Sequence, residues 1–347
     1  MSKNTKWRLP VLLVASALAV LLSLSGCSQK DSAASGKPET AEILPAQKKN
    51  IVIGFSQIGA ESAWRGCNTQ SIQEAAAEAG YQIIYSNAEQ KQENQIKAIR
   101  SFIVYKVDII VFIPIVQDGW DNVLREAREA NIPVIIVDRT INTSDESLYA
   151  GYIGSEHIEE GRKAGRWLLE KYKGKKGPLN ILELRGNDGS SVVDGRYNGF
   201  REVIGDDERF NIVYSEAGDF LRSRGKEIAE NLFGKTHKLE VDGKKIDIIY
   251  SHNDSMSLGM IEVLESYGIQ PGKDVTIISV DAEQAAIDAL KEGKMNCVIE
   301  CNPKQGPTVM QMVNSVMNGW AIPRITYVPE VVFTENDDLT ELPARGY

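Results

Sequence analysis

Short apolar runs alternate with segments of helical periodicity along most of this chain, and that alternation limits the possible folds more than any other feature. The runs at residues 51–55, 108–113 and 132–137 have the length of strands and are apolar on both faces. Between them, apolar residues recur at helical spacing, as Ile96, Ile99 and Ile103 do. Fully apolar strands joined by helical connections are typical of a parallel sheet covered by helices on both faces. The sequence therefore predicts an α/β fold.

The same alternation runs a second time, which predicts two similar lobes. Strands are expected at residues 180–184, 211–215, 246–250 and 275–280, with helices between them. Residues 297–303 are predicted to be a strand, 305–318 a helix and 325–333 a last extended segment. About 300 residues follow position 49, which fits two domains better than one small core.

The amino-terminal segment predicts export and lipid anchoring. Lys3, Lys6 and Arg8 precede an apolar run at residues 10–24, which is shorter than the ~20 residues that a spanning helix needs. The run ends in Leu-Ser-Gly-Cys, which resembles the lipobox of bacterial lipoproteins. We therefore predict a signal peptide at residues 1–26, a lipidated Cys27 that anchors the protein to the outside of the cell membrane, and a flexible tether at residues 27–49.

Charge and cysteine content exclude some classes of function. The net charge is −9, and there is no basic run beyond the signal, so a nucleic-acid partner is not expected. Cys297 and Cys301 lie four residues apart on one predicted strand, roughly 13 Å by strand rise, so they should not bridge each other. We expect both to be buried as small apolar residues. Cys67 is an odd remaining thiol, which weakens a disulfide framework further.

Polar and aromatic side chains follow the carboxyl ends of several predicted strands. Ligands of open α/β sheets bind at this edge. Carboxylates, guanidinium groups and an amide can together pair with vicinal hydroxyls, and an aromatic face covers the apolar side of a sugar ring. The pattern indicates a polyol site built from Trp64, Arg65, Asp138, Arg139, Asn253, Asp254, Asp281 and Glu300.

Each of these residues also has a structural interpretation. Trp64 could be a core anchor and Arg65 a solvated charge at a helix start. Asp138 and Arg139 could form a local ion pair, while Asn253, Asp254 and Asp281 could cap the helices that follow them. Their shared position at strand ends is what favours the binding interpretation.

Catalytic motifs give little support for an enzyme. No G-x-G-x-x-G follows the first strand, and neither a P-loop nor a G-x-S-x-G elbow occurs. The histidines at 157, 237 and 252 lack the spacing of metal ligands. Asp138 and Asp281 could be a glycosidase pair, which stays open as a minor alternative. We expect a protein without enzymatic activity, cofactor or metal.

Several motifs resemble those of the ribose-type sugar-binding proteins of ABC importers, most of all the galactofuranose-binding member. They are FSQIGAESAWRG, QKQENQIKAIRSFI, VDIIVFIPIVQDGW, IPVIIVDRTI, GDFLRSRGKE, YSHNDSMSLGMIEVLESYGIQPGKD and ISVDAEQAAIDAL. The resemblance covers nearly the whole chain from about residue 50 and implies a type I periplasmic binding protein, with two Rossmann-like lobes joined by a three-strand hinge. The lobes would comprise residues 50–152 plus 301–327 and residues 153–300 plus 328–347.

The resemblance also implies roles for single residues. In the first lobe, Trp64 would stack on the sugar beside Arg65, and Asp138 with Arg139 would grip adjacent hydroxyls. The second lobe would contribute Phe220, Asn253 and Asp281, and Glu300 would lie at the hinge. The arginine that ribose binders place after the first strand of the second lobe falls at Asp194, with Arg196 nearby. Glu61 and Asp194 are therefore added as further candidates for sugar contact.

The function implied is that of an extracytoplasmic substrate-binding protein. It would capture galactofuranose or a related aldose as a monomer by closing its lobes, and deliver it to an ABC permease. One alternative is a sugar receptor that signals to a membrane kinase or chemosensor. A sugar-responsive repressor would need a helix-turn-helix at the amino end, where the lipobox stands instead.

Overall fold

The computed structural model describes residues 50–347. The predicted signal peptide, the tether and Cys27 lie outside the described residues. Within residues 50–347, none of the helices combines the length and the hydrophobicity needed to cross a bilayer.

Strands and helices alternate along the described chain. The strands are β1 (Val52–Gln57), β2 (Gln82–Asn87), β3 (Ile109–Phe112), β4 (Val134–Val137), β5 (Gly151–Gly154), β6 (Leu179–Arg185), β7 (Phe210–Ala217), β8 (Glu240–Val241), β9 (Lys244–Lys245), β10 (Ile248–Ser251), β11 (Thr276–Asp281), β12 (Cys297–Glu300), β13 (Ile325–Tyr327) and β14 (Val332–Thr334). The helices are α1 (Ala63–Glu78), α2 (Gln92–Tyr105), α3 (Asp121–Glu129), a 3-10 turn (Glu146–Leu148), α4 (His157–Lys171), α5 (Ser191–Ile204), α6 (Arg222–Phe233), α7 (Asp254–Ser266), α8 (Gln284–Lys291) and α9 (Gly306–Met317).

Two six-stranded sheets form the centres of two lobes. The first sheet has the order β13-β5-β4-β3-β1-β2, and all its pairings are parallel. The second has the order β14-β12-β11-β10-β6-β7 and is parallel except for β14, which runs antiparallel to β12. Strands β3 and β4 are buried along their whole length, as expected for strands covered on both faces. The predicted α/β fold with two parallel sheets is confirmed.

The chain passes between the two lobes three times. It crosses after β5, again after β12, and finally between β13 and β14. The last extended segment predicted at residues 325–333 is thus two short strands in different sheets, because residues 328–331 form the third crossing. The lobe boundaries expected above stay a prediction.

Candidate functional site

A cavity lies between the lobes, where loops at the carboxyl ends of strands from both sheets face each other. The empty space between its walls, including the part that is open to solvent, is about 290 Å³. Its walls are polar, charged and aromatic, which suits a small hydrophilic ligand. The lining residues are Glu61, Ser62, Trp64, Arg65, Asp138, Arg139, Val192, Arg196, Phe220, Asn253, Asp281 and Cys301.

Trp64 and Arg65 enter the cavity from the first turn of α1. Ser62 caps this helix, and its Oγ accepts a hydrogen bond from the Arg65 backbone N–H at 3.2 Å. The Trp64 indole N–H donates to the Cys301 carbonyl at 2.6 Å, and the Arg65 guanidinium lies 4.6 Å from the centre of the Trp64 ring. Trp64 is also part of a buried apolar cluster, so it is both a packed residue and a cavity wall.

A chain of ion pairs fixes the charged groups of the first lobe. Arg65 Nε donates to Glu61 Oε1 at 2.9 Å, and Arg65 Nη2 lies 2.9 Å from Asp138 Oδ2. Arg139 Nη1 donates to the Ile115 carbonyl at 3.0 Å. Asp138 has a φ of 64°, a left-handed conformation that aspartate adopts more readily than most residues. The backbone therefore directs this carboxylate at the arginines rather than at a helix.

Electrostatics keep Asp138 ionised. Burial alone would raise the pKa of Asp138, but the positive charges of Arg65 and Arg139 outweigh burial and hold this pKa below its ordinary value. Burial and the nearby Arg65 lower the pKa of Arg139 to about 10, so its guanidinium is still charged at neutral pH. The first lobe thus presents a fixed acceptor between two fixed donors.

The second lobe contributes Phe220 and Asn253. The sequence pattern predicts a helix over residues 220–233, but α6 begins at Arg222, and Asp219 and Phe220 have φ values of 53° and 63°. Its ring lies 5.3 Å from the Arg139 guanidinium of the opposite lobe. Asn253 caps α7 by accepting from the Met256 backbone N–H at 3.0 Å, and its amide donates to the Phe220 carbonyl at 3.1 Å. Asn253 is therefore a helix cap that also borders the cavity.

Arg196 is a lining residue that the sequence interpretation passed over in favour of Asp194. Its Nη2 lies 3.4 Å from Asp281 Oδ1, and its Nε donates to Glu160 Oε2 at 2.7 Å. Asp194 is exposed and accepts a hydrogen bond at 2.6 Å from Gln117 Nε2 of the other lobe. Residues two apart on a helix point to opposite sides, so α5 can direct only one of them at the cavity. Arg196 replaces Asp194 in the candidate site.

Glu300 lies at the hinge, as expected, but it is not a lining residue. Its Oε2 accepts from the Val331 backbone N–H at 3.1 Å, and its Oε1 pairs with Arg345. The neighbouring Cys301 faces the cavity instead, because successive residues of an extended chain point to opposite sides. Cys297 and Cys301 are both buried free thiols, which confirms their expected burial.

Basic and acidic groups line the cavity in equal number. Three guanidinium groups (Arg65, Arg139 and Arg196) face three carboxyl groups (Glu61, Asp138 and Asp281). Burial, aided by Asp254 and Glu283, raises the pKa of Asp281 well above its ordinary value, against the opposing effect of Arg196. In the part of the chain that the structure describes, four buried atoms of the cavity have no hydrogen-bond partner: Glu61 Oε2, Arg65 Nη1, Arg139 Nε and Asp138 Oδ2, the last of which is ion-paired with Arg65 Nη2. Buried polar atoms are usually paired, so these point to a ligand with both donors and acceptors.

Potential metal ligands also occur near the cavity. Their atoms lie within 4.8 Å of one another in two buried groups that share Cys301: Asp138 with His157, and Glu160 with Glu330. Arg65 is paired with Asp138, and Arg196 with Glu160. Each group thus has a guanidinium where a cation would have to approach, and we propose no metal there.

Two α/β lobes with a cavity lined by guanidinium and carboxyl groups at their strand ends define a solute-binding protein that holds its ligand between the lobes. Residues 53–320 match the periplasmic binding protein domain. The chain belongs to that family.

Named relatives support this membership over most of the chain. Galactofuranose-binding protein YtfQ of Escherichia coli (strain K12) is 36% identical over 301 residues, which cover 86% of this chain and 93% of that protein. A protein of Mycobacterium smegmatis, crystallised in complex with β-D-fucofuranose, is 42% identical with a TM-score of 0.78, covering 82% of this chain and 91% of that one. The binding protein of the arabinose ABC transporter of Shewanella sp. ANA-3, bound to α- and β-L-arabinofuranose, is 38% identical with a TM-score of 0.77 and covers 82% and 92% of the two chains.

These comparisons confirm the expected type I periplasmic binding protein fold and the expectation that the chain is not an enzyme, because its relatives are solute-binding proteins. The pKa values of Asp138 and Asp281 are shifted in opposite directions, as those of a glycosidase pair would be. Family membership nevertheless favours ligand binding over hydrolysis for these two carboxyl groups.

Proposed function

We propose that this protein captures a neutral monosaccharide in its furanose form by closing its lobes, and delivers the sugar to an ABC permease. The observation that carries the proposal is the cavity itself, in which unpaired guanidinium and carboxylate atoms of the described residues face the space between the lobes.

The cavity chemistry favours a neutral polyol over a charged ligand. A hydroxyl group both donates and accepts, so one sugar can pair with Arg65 Nη1, Arg139 Nε and Glu61 Oε2, three of the buried cavity atoms without hydrogen-bond partners. A uronic acid or sugar phosphate would place its negative charge beside the carboxyl groups of Glu61, Asp138 and Asp281 in the same cavity. Trp64 and Phe220 supply apolar faces for the C–H groups of the ring.

A five-membered ring is proposed from the relatives. One of the three relatives is a galactofuranose-binding protein, and the other two are bound to β-D-fucofuranose and to L-arabinofuranose. We therefore propose galactofuranose or a related aldofuranose as the ligand of this chain.

Lobe closure is the proposed binding step. At the rim, the Gln117 backbone N–H donates to the Gly189 carbonyl and the Thr140 backbone N–H donates to Ser191 Oγ, each at 2.9 Å. These contacts join the two lobes, so they exist only when the lobes are closed. A sugar that touches both lobes favours this closed state through its difference in affinity for the two states. The closed form would then dock on the permease, while lipidated Cys27 keeps the protein at the membrane.

A ligand screen tests the proposal directly. Purified protein is heated with D-galactose, D-fucose, L-arabinose, D-ribose, D-fructose and D-glucuronate in separate samples, and the melting temperature is recorded. A ligand at a hundred times its Kd stabilises the folded state by about 2.7 kcal/mol. We expect a rise in melting temperature with one or more neutral aldoses that form furanose rings and none with glucuronate. Stabilisation by glucuronate alone, or by none of these sugars, would contradict the proposal.

A further inference from the structure

A carboxylate of the second lobe caps a helix of the first lobe. Glu283 stands at the N-cap position of α8, yet its side chain makes no capping bond to that helix. Its Oε1 instead accepts the Trp64 backbone N–H at 3.1 Å, across the gap between the lobes. Glu283 is 4% exposed and does not line the cavity.

The amino end of α1 needs this partner from outside its own lobe. The first backbone N–H groups of a helix have no acceptor within the helix. Ser62 satisfies the N–H of Arg65, but the N–H of Trp64 is satisfied by Glu283. No acidic residue occupies the first turn of α1, so Glu283 is the carboxyl group at this helix end, which favours negative charge. Burial raises the pKa of Glu283, and the Trp64 N–H opposes that rise.

The second lobe holds Glu283 in place for this contact. Its backbone N–H donates to Asp254 Oδ2 at 2.7 Å, and Ser255 Oγ donates to its Oε1 at 3.4 Å. Both residues lie in the first turn of α7, so the carboxylate belongs to the frame of its own lobe. Only the bond to Trp64 depends on where the other lobe is.

We propose that Glu283 is a closure latch, a positioning residue that stabilises the closed state through the amino end of α1 without touching the sugar. This inference rests on the proposed binding function. Opening the lobes removes the bond to Trp64, so the latch adds to the closed state only. It also places Trp64 and Arg65, the first two cavity residues of α1, in register with the second lobe.

Loss of this bond should change the rate of sugar release more than the rate of sugar association. Binding to the open lobes does not involve the bond, whereas release requires breaking it. Loss of the latch should therefore raise the rate of sugar release and leave the association rate nearly unchanged. For Glu283→Ala we expect about a 10-fold weaker affinity, which corresponds to about 1.4 kcal/mol. Glu283→Gln keeps an acceptor but loses the charge, and should fall between this variant and the wild type.

The test compares both variants with Asp288→Asn, a control on the same helix whose carboxylate is exposed and accepts only an intrahelical bond from Gln284 at 2.9 Å. Isothermal titration with the sugar that stabilises the wild type gives the affinity, and stopped-flow fluorescence gives the two rates. Support for the latch is a graded loss of affinity that is carried by the release rate, with the association rate unchanged. Unchanged affinity in Glu283→Ala overturns it, as does an affinity loss that is carried by a slower association rate.

Small-angle scattering separates this inference from the proposed function. If the wild type binds none of the tested sugars, the proposed function fails, and the latch is then judged on ligand-free protein. A larger radius of gyration for Glu283→Ala than for the wild type and Asp288→Asn supports the latch, while equal radii overturn it.

Discussion

Replacing Asp138 with asparagine tests the electrostatic centre of the site with almost no change in shape. Asp138 is 2% exposed. Its carboxylate lies 2.9 Å from Arg65 Nη2, 3.9 Å from Arg139 Nε and 3.9 Å from His157 Nε2. Asparagine keeps an acceptor oxygen but removes the charge, which leaves two buried guanidinium groups facing each other with less compensation.

The expected losses can be estimated separately for binding and for stability. Hydrogen bonds that involve a charged group contribute about 1.5–3 kcal/mol, so the affinity for sugar should fall roughly 10- to 150-fold. Breaking a buried ion pair costs about 3–5 kcal/mol, and the retained amide oxygen should place this variant near the lower end. At ~2–4 °C per kcal/mol, the melting temperature should drop by roughly 6–12 °C.

The pH dependence gives a second signature of the same carboxylate. The folded-state pKa of Asp138 lies below its ordinary value because burial is outweighed by Arg65 and Arg139. Its stabilising effect is therefore fully present above the unfolded-state pKa and is lost as pH falls through the folded-state pKa. The stability difference between wild type and Asp138→Asn should be constant through neutral pH and shrink only in acid.

The assay is titration calorimetry with the bound sugar, together with thermal melts between pH 3 and pH 8. The matched control is Asp145→Asn, because Asp145 pairs with Arg128 at 2.8 Å on the surface of the same lobe with 41% of its side chain exposed. Exposed pairs contribute about 0–1 kcal/mol, so the control should bind normally. An Asp138→Asn variant with wild-type affinity would refute the assigned role of this carboxylate.

Three further outcomes are expected. Arg196→Lys should weaken sugar affinity at least 10-fold, because a lysine cannot bridge Glu160 and Asp281 with two separate nitrogens, whereas Asp194→Asn should bind within about twofold of wild type by calorimetry. Phe220→Leu should weaken affinity roughly 3- to 10-fold, since an aromatic contact adds about 0.5–1.5 kcal/mol beyond its buried area, and the same titration measures it. Burial and the nearby Glu160 raise the pKa of Glu330 to about 8, so the folded state binds this proton more tightly than the unfolded state does. The stability that protonated Glu330 contributes is fully present below about pH 4.5 and is lost as pH rises through about 8. Glu330→Gln should flatten this loss in thermal melts across that range; an unchanged pH profile would contradict the shifted pKa.

The fold was predictable because its strands are short, apolar on both faces and regularly separated by helices. The sequence pattern also located the strand ends where the cavity lies, since parallel strands place their carboxyl ends at one edge. The third crossing was not visible as a break, because residues 325–333 form one extended stretch in sequence and divide between the sheets only through tertiary pairing.

Site residues were harder to assign from the sequence where two candidates lie close together in the chain and only the direction of each side chain decides which one lines the cavity. Asp194 and Arg196 share one helix turn, and the rotation of α5 alone decides which faces the cavity. Likewise Glu300 and Cys301 are adjacent, and the strand alternation places only Cys301 on the lining.

Phe220 depends on two consecutive left-handed residues that helix propensity argues against. Glu283 gave no signal beyond that of an ordinary helix cap, because its partner is 219 residues away in the chain. For Trp64 and Asn253, the structural and the binding interpretation do not exclude each other. Trp64 is packed in a buried cluster and Asn253 caps a helix, and both also line the cavity.

The ring form of the bound sugar is the most direct test of the proposed ligand. Carbon-13 NMR of the protein with D-galactose labelled at C1 distinguishes furanose from pyranose forms by the anomeric resonance. A bound signal at the furanose position, enriched over the free mixture, is the expected result. A bound pyranose signal, or labelled sugar that shows only its free spectrum while another sugar class binds in the cavity, would contradict it.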